Sequence, residues 1–439
     1  MKISRRVIRE YAESLAIAFV LAMVIRHFVV EAFRIPTSSM EPTLIGNQSH
    51  GDRILVNKFQ YDLHPPRAWD VVVFKIEKAR INYYKGERLP GAVQADNGTV
   101  THPGSPEHDN YVKRLVGLPG QRIQVIDGDV FINGTIARKP ERVEDSMLVP
   151  VTSDEHLKLS KTKFFDNWSK SDADAVSLKK DGSITLAGSK RKCGVRYFLK
   201  IEDEIKSSSG GPRQGSRNRV GDLRLAFRFT HTGGAGNLTC ELKKTKTETI
   251  EIEVEDTEGT KSEKTNHEAI YTFVVPLGKP GEVATILCSD GKVAKAAKPF
   301  APTGEHLIEF SAIDARATIR IDGEVLAVFE NTDPKQSSAK HVSRMPTSRS
   351  SAKFGAAGCD VSARDVRIWR DIYYTSVRLD RPSYAVGREF KLGEGEYFMM
   401  GDNSPSSFDS RSWGVVKESS LIGSAFFVFW PLHRWRFIN

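Results

Sequence analysis

The sequence predicts a mainly β protein: a β-rich domain split by an inserted β-sandwich and preceded by one apolar N-terminal helix. Three observations carry this. Short β-branched runs between Gly, Pro and Asp-Gly turns recur from residue 51 to about 141 and return from 393. Between about 142 and 384 the strand-like segments alternate apolar and polar residues and are separated by Ser/Lys-rich and Thr/Glu/Lys-rich text. Ahead of both, Leu15 to Ile25 is an unbroken apolar run behind a basic cluster.

The basic cluster is Lys2, Arg5, Arg6 and Arg9, and positive residues before an apolar stretch place residues 1–10 in the cytoplasm. The uninterrupted run is short, so a cleavable signal peptide and a buried core helix compete with a retained anchor. Arg26 can snorkel to the headgroups, which makes 11–30 long enough to span, and a single-pass transmembrane anchor is the expectation.

Residues 31–141 form the first part of the β-rich domain. Arg53 to Phe59 and Trp69 to Lys75 read as strands, and Arg122 to Gly134 as a hairpin turning at Asp127-Gly128. Residues of about 80–108 are polar and read as a surface loop. In the insertion, 142–384, Leu223 to Phe229, His306 to Phe310, Ala317 to Val325 and Val366 to Arg370 alternate as sandwich strands, with a hairpin at Asp322-Gly323; Ser207 to Arg219 and Thr245 to Asn266 read as long loops. The order of these strands, over roughly 160–380, resembles a concanavalin- or laminin-G-like jelly roll, with an elaboration of the first domain's own sheet as the alternative. Residues 385–439 complete the first domain: Glu396 to Met400 reads as a strand, Gly401 to Gly414 as a polar turn, and Ala425 to Leu432 as a buried terminal strand rather than a membrane-touching aromatic surface.

Hydrophobic content of 39% and charged content of 27% describe a folded chain, and 439 residues bury at least two cores. A net charge of +9 suits anionic lipid or nucleic acid, and the apolar N-terminal segment favours lipid. Cys193, Cys240, Cys288 and Cys359 form no C-x-x-C pair, so no metal site is expected; two disulfides and buried free thiols both remain open.

The chemistry is expected from a serine and a lysine. Ser39 lies in Ile35-Pro36-Thr37-Ser38-Ser39-Met40, just beyond the apolar segment, and Lys113 in Tyr111-Val112-Lys113-Arg114-Leu115-Val116-Gly117. A serine hydroxyl is a poor nucleophile until a base takes its proton, and no histidine has a recognisable triad context. Lysine serves as that base only when neutral, which requires on the order of 4 to 5 kcal/mol of differential desolvation. The apolar neighbours of Lys113 suit such burial.

Three separated segments resemble the type I signal peptidases, the bacterial leader peptidase family, in the same order. They are Ile35 to Leu44, Tyr111 to Gly120, and Gly401-Asp402-Asn403 through Asp409-Ser410-Arg411, with Gly51 to Val56 as a further matching strand. The resemblance implies a signal-peptidase-like catalytic domain in which Ser39 is the nucleophile and Lys113 the general base, with no cofactor. Thr37 would complete an oxyanion hole with the Ser39 N–H, and Ser407 would orient the lysine beside a supporting Asp409–Arg411 ion pair. Phe33, Ile35, Pro36, Met40, Leu44, Tyr111 and Val112 match positions of shallow pockets for small side chains, and a strand edge near Ile35 would hold an extended substrate. Ser38 is read as a turn residue. Ser404-Pro405 stands where the family commonly has a charged residue, and the insertion is far larger than usual.

The implied activity is removal of signal peptides from exported precursors, on the outer (periplasmic) face of the cytoplasmic membrane. Expected partners are such precursors and membrane lipid, with cell-envelope polymer or protein as candidates for the insertion and no nucleic acid. The alternative is a membrane-tethered binding protein acting through a lectin-like sandwich. A self-cleaving Ser/Lys repressor-type peptidase is disfavoured, because an apolar segment occupies the place of a DNA-binding helix pair.

Overall fold

A computed structural model describes residues 5–24, 30–78, 80, 93–94, 100–101, 107–152, 167–179, 182–205, 218–253, 260–331, 351–375 and 383–438. The N-terminal helix is Arg5–Val24, which contains most of the expected 11–30 span; residues 25–29 lie outside the described residues, and Val30 begins a strand. Among the described residues no helix is long and apolar enough to cross a membrane. The reason is in its sequence: Arg5, Arg6, Arg9, Glu10 and Glu13 share the helix with the apolar residues.

Among the described residues, eight strands from the two ends of the chain form one antiparallel sheet. Its order is Val30–Arg34, Arg53–Asn57, Leu421–Trp430, Val71–Glu77, His108–Gly117, Glu396–Met400 and Val416–Lys417, with Arg436–Phe437 also paired to Leu421–Trp430. The aromatic C-terminal run is thus a strand, as its sequence suggests, but an internal one, flanked on both sides. Successive side chains of a strand point to opposite faces, and this sheet uses both. Val71 and Val73 join Ile35, Met40, Leu44, Ile54, Val56 and Val428 in one core, while Val72, Phe74 and Ile76 join Leu115, Met399 and Trp413 in another.

The Asp127-Gly128 hairpin forms as read, with both residues at positive φ (50° and 90°), the geometry that glycine and aspartate tolerate best. The same holds for Asp322-Gly323 between Arg316–Ile321 and Glu324–Glu330.

A thirteen-stranded sheet occupies Val149 to Arg370 among the described residues. Its axis is the 31-residue strand Leu223–Glu253, which pairs with Glu305–Ile313 over Leu223 to Thr230, with Thr260–Leu277 over Gly236 to Glu253, and with Ser351–Arg370 between Leu223 and Lys243. Register shifts at His231/Gly233 and Gly234/Asn237 bend it, and Gly234 (φ 78°) makes the bend possible. Doubling over at this point brings Phe273 of one lobe to 5.3 Å, ring centre to ring centre, from Phe310 of the other, and Phe227 stacks on Phe354 at 4.4 Å.

Thr245 to Asn266 is corrected from loop to strand wherever it is described: Thr245–Glu253 pairs with Thr260–Glu268 in continuous register. Thr245, Thr247, Thr249, Ile250 and Ile252 supply the β-branched residues that the charged neighbours disguise. Residues 206–217 of the other expected loop lie outside the described residues; Arg219 bridges to Glu202. Of the expected loop at 80–108, Val93–Gln94 and Val100–Thr101 pair as short strands. All four cysteines are unpaired, and Cys193, Cys240 and Cys359 are buried.

Both ends of the 142–384 segment pack into the first domain. Val143 and Met147 of the helix Glu141–Met147, and Ile372, Tyr374 and Tyr384 at the far end, belong to the core of Val72 and Phe74.

Candidate active site

The chain approaches Ser39 along the edge strand Val30–Arg34, then through extended Thr37 into a single 3₁₀ turn, Ser38–Met40. Ile35 N donates to Asp52 O and Asn47 N to Ile35 O, fixing the loop on either side of the turn. Gly46 makes this possible: a Cβ there would sit 1.7 Å from the Thr37 carbonyl oxygen, closer than any real contact. Met40 and Leu44 anchor the turn in the core.

Lys113 comes from strand His108–Gly117, opposite Val72. Its side chain is buried (3% exposed) and its Nζ lies 2.6 Å from Ser39 Oγ. Burial lowers the lysine pKa to about 8, against the partly opposing pull of Asp409 and Asp402. A charged amine can only donate to Oγ, whereas the neutral amine offers a lone pair to the serine proton.

The polar turn after Met400 closes over this pair. Asn403 N donates to Ser39 O (3.0 Å) and Asn403 Nδ2 to Ser38 O (3.0 Å). Gly401 lies against both serines, since a Cβ there would meet Ser407 Oγ at 2.1 Å and Ser39 O at 2.5 Å. The Ser404-Pro405 departure forms a 3₁₀ turn, and Ser404 Oγ accepts from Arg411 Nη1 at 2.6 Å.

Asp409 and Arg411 form a fully buried bidentate pair, Nε to Oδ1 at 2.9 Å and Nη2 to Oδ2 at 2.6 Å, and Asp409 also accepts from Gly401 N. Burial disfavours the ionised carboxylate, but the adjacent guanidinium outweighs it, so the Asp409 pKa lies below its usual value. The Ser407 hydroxyl is fully buried and, among the described residues, meets no partner in hydrogen-bond geometry, Lys113 included, although it lies near enough to Asp409 to favour the ionised form. Its expected contact with the lysine is therefore not made here; Lys113 Nζ turns to Ser39 instead.

Thr37 is exposed, with Oγ1 3.4 Å from Ser39 Oγ. Ser38 Oγ faces Ser406 Oγ at 3.3 Å, on the turn rather than on the lysine. Among the expected pocket residues, Pro36 is exposed, and Phe33, Tyr111 and Val112 are half-buried. Ile35, Met40 and Leu44 are buried at 3%, 1% and 0% exposure and belong to the core beneath the turn.

Sequence reasoning missed a second buried ion pair next to the lysine. Arg114 meets Asp402 through Nε (2.8 Å) and Nη2 (2.7 Å), and its Nη1 donates to Trp69 O. Thr43 Oγ1 donates to Asp402 Oδ2 at 2.5 Å. Asp52, also fully buried, receives Arg434 at 2.8 and 2.9 Å, and Arg436 reaches Thr43 O. The available signal was charge inside apolar strand text at Arg114, but no local pattern names its partner 288 residues away.

One acidic cluster lies away from this site: oxygens of Asp129, Asp222 and Asp314 fall within 4.8 Å of one another. The cations they hold are ammonium groups, Lys244 Nζ at 2.7 Å from Asp222 and 3.2 Å from Asp129, and Lys139 Nζ at 2.7 Å from Asp314.

A family model described as signal peptidase, peptidase S26, matches residues 8–192 and 314–430. The chain is similar to a probable signal peptidase I-2 of Synechocystis sp., 35% identical over 125 residues that cover 28% of this chain and 45% of that protein. It is similar also to a signal peptidase I of Mycobacterium tuberculosis, 35% identical over 141 residues that cover 31% of this chain and 48% of that protein. The chain thus spans about half the length of these curated relatives. A solved Bacillus subtilis structure with a galectin-like fold covers 51% of this chain and 96% of its own at 9% identity, with a TM-score of 0.29, too low to carry an argument.

Proposed function

The chain belongs to the signal peptidase family, peptidase S26, and from that premise we propose that it is a serine endopeptidase that removes signal peptides from exported precursors. One observation carries the mechanism: a buried lysine whose pKa is lowered to about 8 stands 2.6 Å from a serine hydroxyl.

In this reading neutral Lys113 takes the Ser39 proton as Oγ attacks the scissile carbonyl, and the resulting ammonium gives that proton to the departing amine. Thr37 Oγ1 and the Ser39 N–H bind the developing oxyanion; removing one such donor typically costs about 100- to 1000-fold in rate. The edge position of Val30–Arg34 supports docking of an extended precursor segment by strand addition, with Phe33, Tyr111 and Val112 bounding the subsites for small residues. Asp409 and Arg411 hold the turn that carries Ser407.

Residues 31–141 and 385–439 form the catalytic domain, with 142–384 as an inserted sandwich of concanavalin- or laminin-G-like type; the doubled-over sheet from Val149 to Arg370 supports this partition. The N-terminal helix serves as the membrane anchor, with the catalytic domain on the outer face of the cytoplasmic membrane. Support comes from the uncovered side chains of Tyr11, Leu15, Ile17, Phe19 and Val20.

The test is cleavage of a purified precursor by the full chain in lipid or detergent. Release of the mature protein by wild type and not by Ser39→Ala is the expected result; equal cleavage by both removes Ser39 as nucleophile.

A further inference from the structure

The insertion does more than sit beside the catalytic sheet, because one short helix is held by both. Glu141–Met147 turns Val143 and Met147 into the core that contains Val72, Leu115 and Met399. Its acidic side chains face the strands of the inserted sheet. Glu144, 4% exposed, accepts from Arg224 Nη2 at 2.8 Å and from Arg316 Nη2 at 2.7 Å, Asp145 accepts from Arg224 Nη1 at 2.6 Å, and Arg320 pairs with Glu141. All three arginines lie on strands of the inserted sheet. Arg224 bridges two carboxylates and Arg316 meets the buried Glu144, and charge-assisted contacts of this kind fix position as well as contributing energy.

The end of the helix touches the active-site scaffold. Ser146 O lies 3.2 Å from Thr43 Oγ1, and the same hydroxyl donates to Asp402 Oδ2 and receives Arg114 Nη2 at 3.2 Å. Asp402 is the centre of the turn whose neighbours, Gly401 and Asn403, bear on Ser39 O, and Arg114 is the residue after Lys113. Thr43 therefore lies between the end of the helix and Asp402 and Arg114, the neighbours of the two dyad residues; its one hydroxyl proton is shared between Asp402 and Ser146 O, with the shorter contact to Asp402. A parallel contact runs through Lys139, which pairs with Asp314 of the insertion at 2.7 Å, lies 5.6 Å over the Trp69 ring, and so bears on the residue whose carbonyl receives Arg114.

We propose that the insertion is a positioning device for the dyad: its arginines Arg224, Arg316 and Arg320 set the helix Glu141–Met147, and Thr43 transmits that setting to Asp402, Arg114 and the Ser39–Lys113 pair. The inference rests on the peptidase reading above. It explains why a segment of this size is rooted at both ends in the catalytic core. Thr43 is a positioning residue and touches no reacting atom.

The experiment is a double-mutant cycle on precursor cleavage by the full chain. Thr43→Val lowers kcat about tenfold with KM within about twofold, the size expected when reacting groups are slightly misplaced, and Thr43→Ser, which keeps the hydroxyl, restores most of it. Arg224→Gln with Arg316→Gln lowers kcat at least about threefold, and the same change made in Thr43→Val lowers it no further. If the arginine pair fails to fold, Glu144→Gln, which keeps an acceptor oxygen and removes the charge, takes its place in the cycle. Additive losses, or unaltered kcat in folded arginine variants, overturn the coupling while leaving the peptidase reading intact. Absence of cleavage by wild type removes the reading itself.

Discussion

Lys113 Nζ stands 2.6 Å from Ser39 Oγ across 74 residues of chain. The serine is brought there by a loop seated on the core, and the lysine by a strand in the interior of the sheet. Neither depends on local sequence alone. The turn 401–403, from the far end of the chain, holds the serine by donating the Asn403 N–H to Ser39 O.

Because a guanidinium does not lose its proton in the working range, Lys113→Arg is expected to be as inactive as Lys113→Ala. Both should reduce precursor cleavage by at least about 1000-fold in kcat/KM. Substantial turnover by Lys113→Arg would show that the base is another group.

The pH profile follows from the lysine. Its pKa is lowered to about 8, so the neutral, competent form accumulates as pH rises through that value. The rate of cleavage should climb with an apparent pKa near 8 and level off above it, as read from kcat/KM between pH 6 and 10.

The same shift bears on stability with a definite sign. Lys113 binds its proton less tightly folded (about 8) than in its ordinary state (10.5), so it costs stability fully below pH 8 and progressively less up to 10.5. Lys113→Met, which fills similar space without charge, should gain up to roughly 3 kcal/mol at pH 6 in denaturant unfolding and lose that advantage as pH approaches 10.5. A gain independent of pH would assign the effect to packing.

Gly46→Ala tests how Ser39, the proposed nucleophile, is placed. Gly46 is not at positive φ, so alanine brings no backbone strain there, only a Cβ 1.7 Å from the Thr37 carbonyl oxygen. Displacing Thr37 and Ser39 should lower kcat at least about tenfold, with a smaller change in KM. Wild-type kcat would show that the loop yields without moving the serine.

Breaking the Asp409–Arg411 pair leaves a buried charge without its partner. Arg411→Ala should destabilise the fold by about 3 to 5 kcal/mol in denaturant titration. Arg411→Lys should recover only part, because an ammonium cannot reproduce the guanidinium contacts to Asp409, Ser404 and Thr375.

Much of the fold could be read along the chain because alternation and turn chemistry are local. Asp127-Gly128 and Asp322-Gly323 announce their hairpins, and Val71 to Ile76 shows both faces of an interior strand. Thr245 to Asn266 was hidden because its β-branched residues are interleaved with charges that read as loop. Arg114–Asp402 and Asp52–Arg434 were hidden for a different reason: charge pairs buried between distant segments leave no periodic trace.

The sequence by itself determined the residue types of the chemistry, a serine in a turn behind an apolar segment and a lysine in an apolar strand, together with the mainly β character of the chain. Tertiary structure decided that these two side chains meet, that the Ser407 hydroxyl makes no hydrogen bond to the lysine, and that the helix Glu141–Met147 packs Val143 and Met147 against the first domain and brings Ser146 O to Thr43. The division follows from range. Propensity, alternation and turns act over a few residues, whereas burial and ion pairing depend on which distant strands share a sheet.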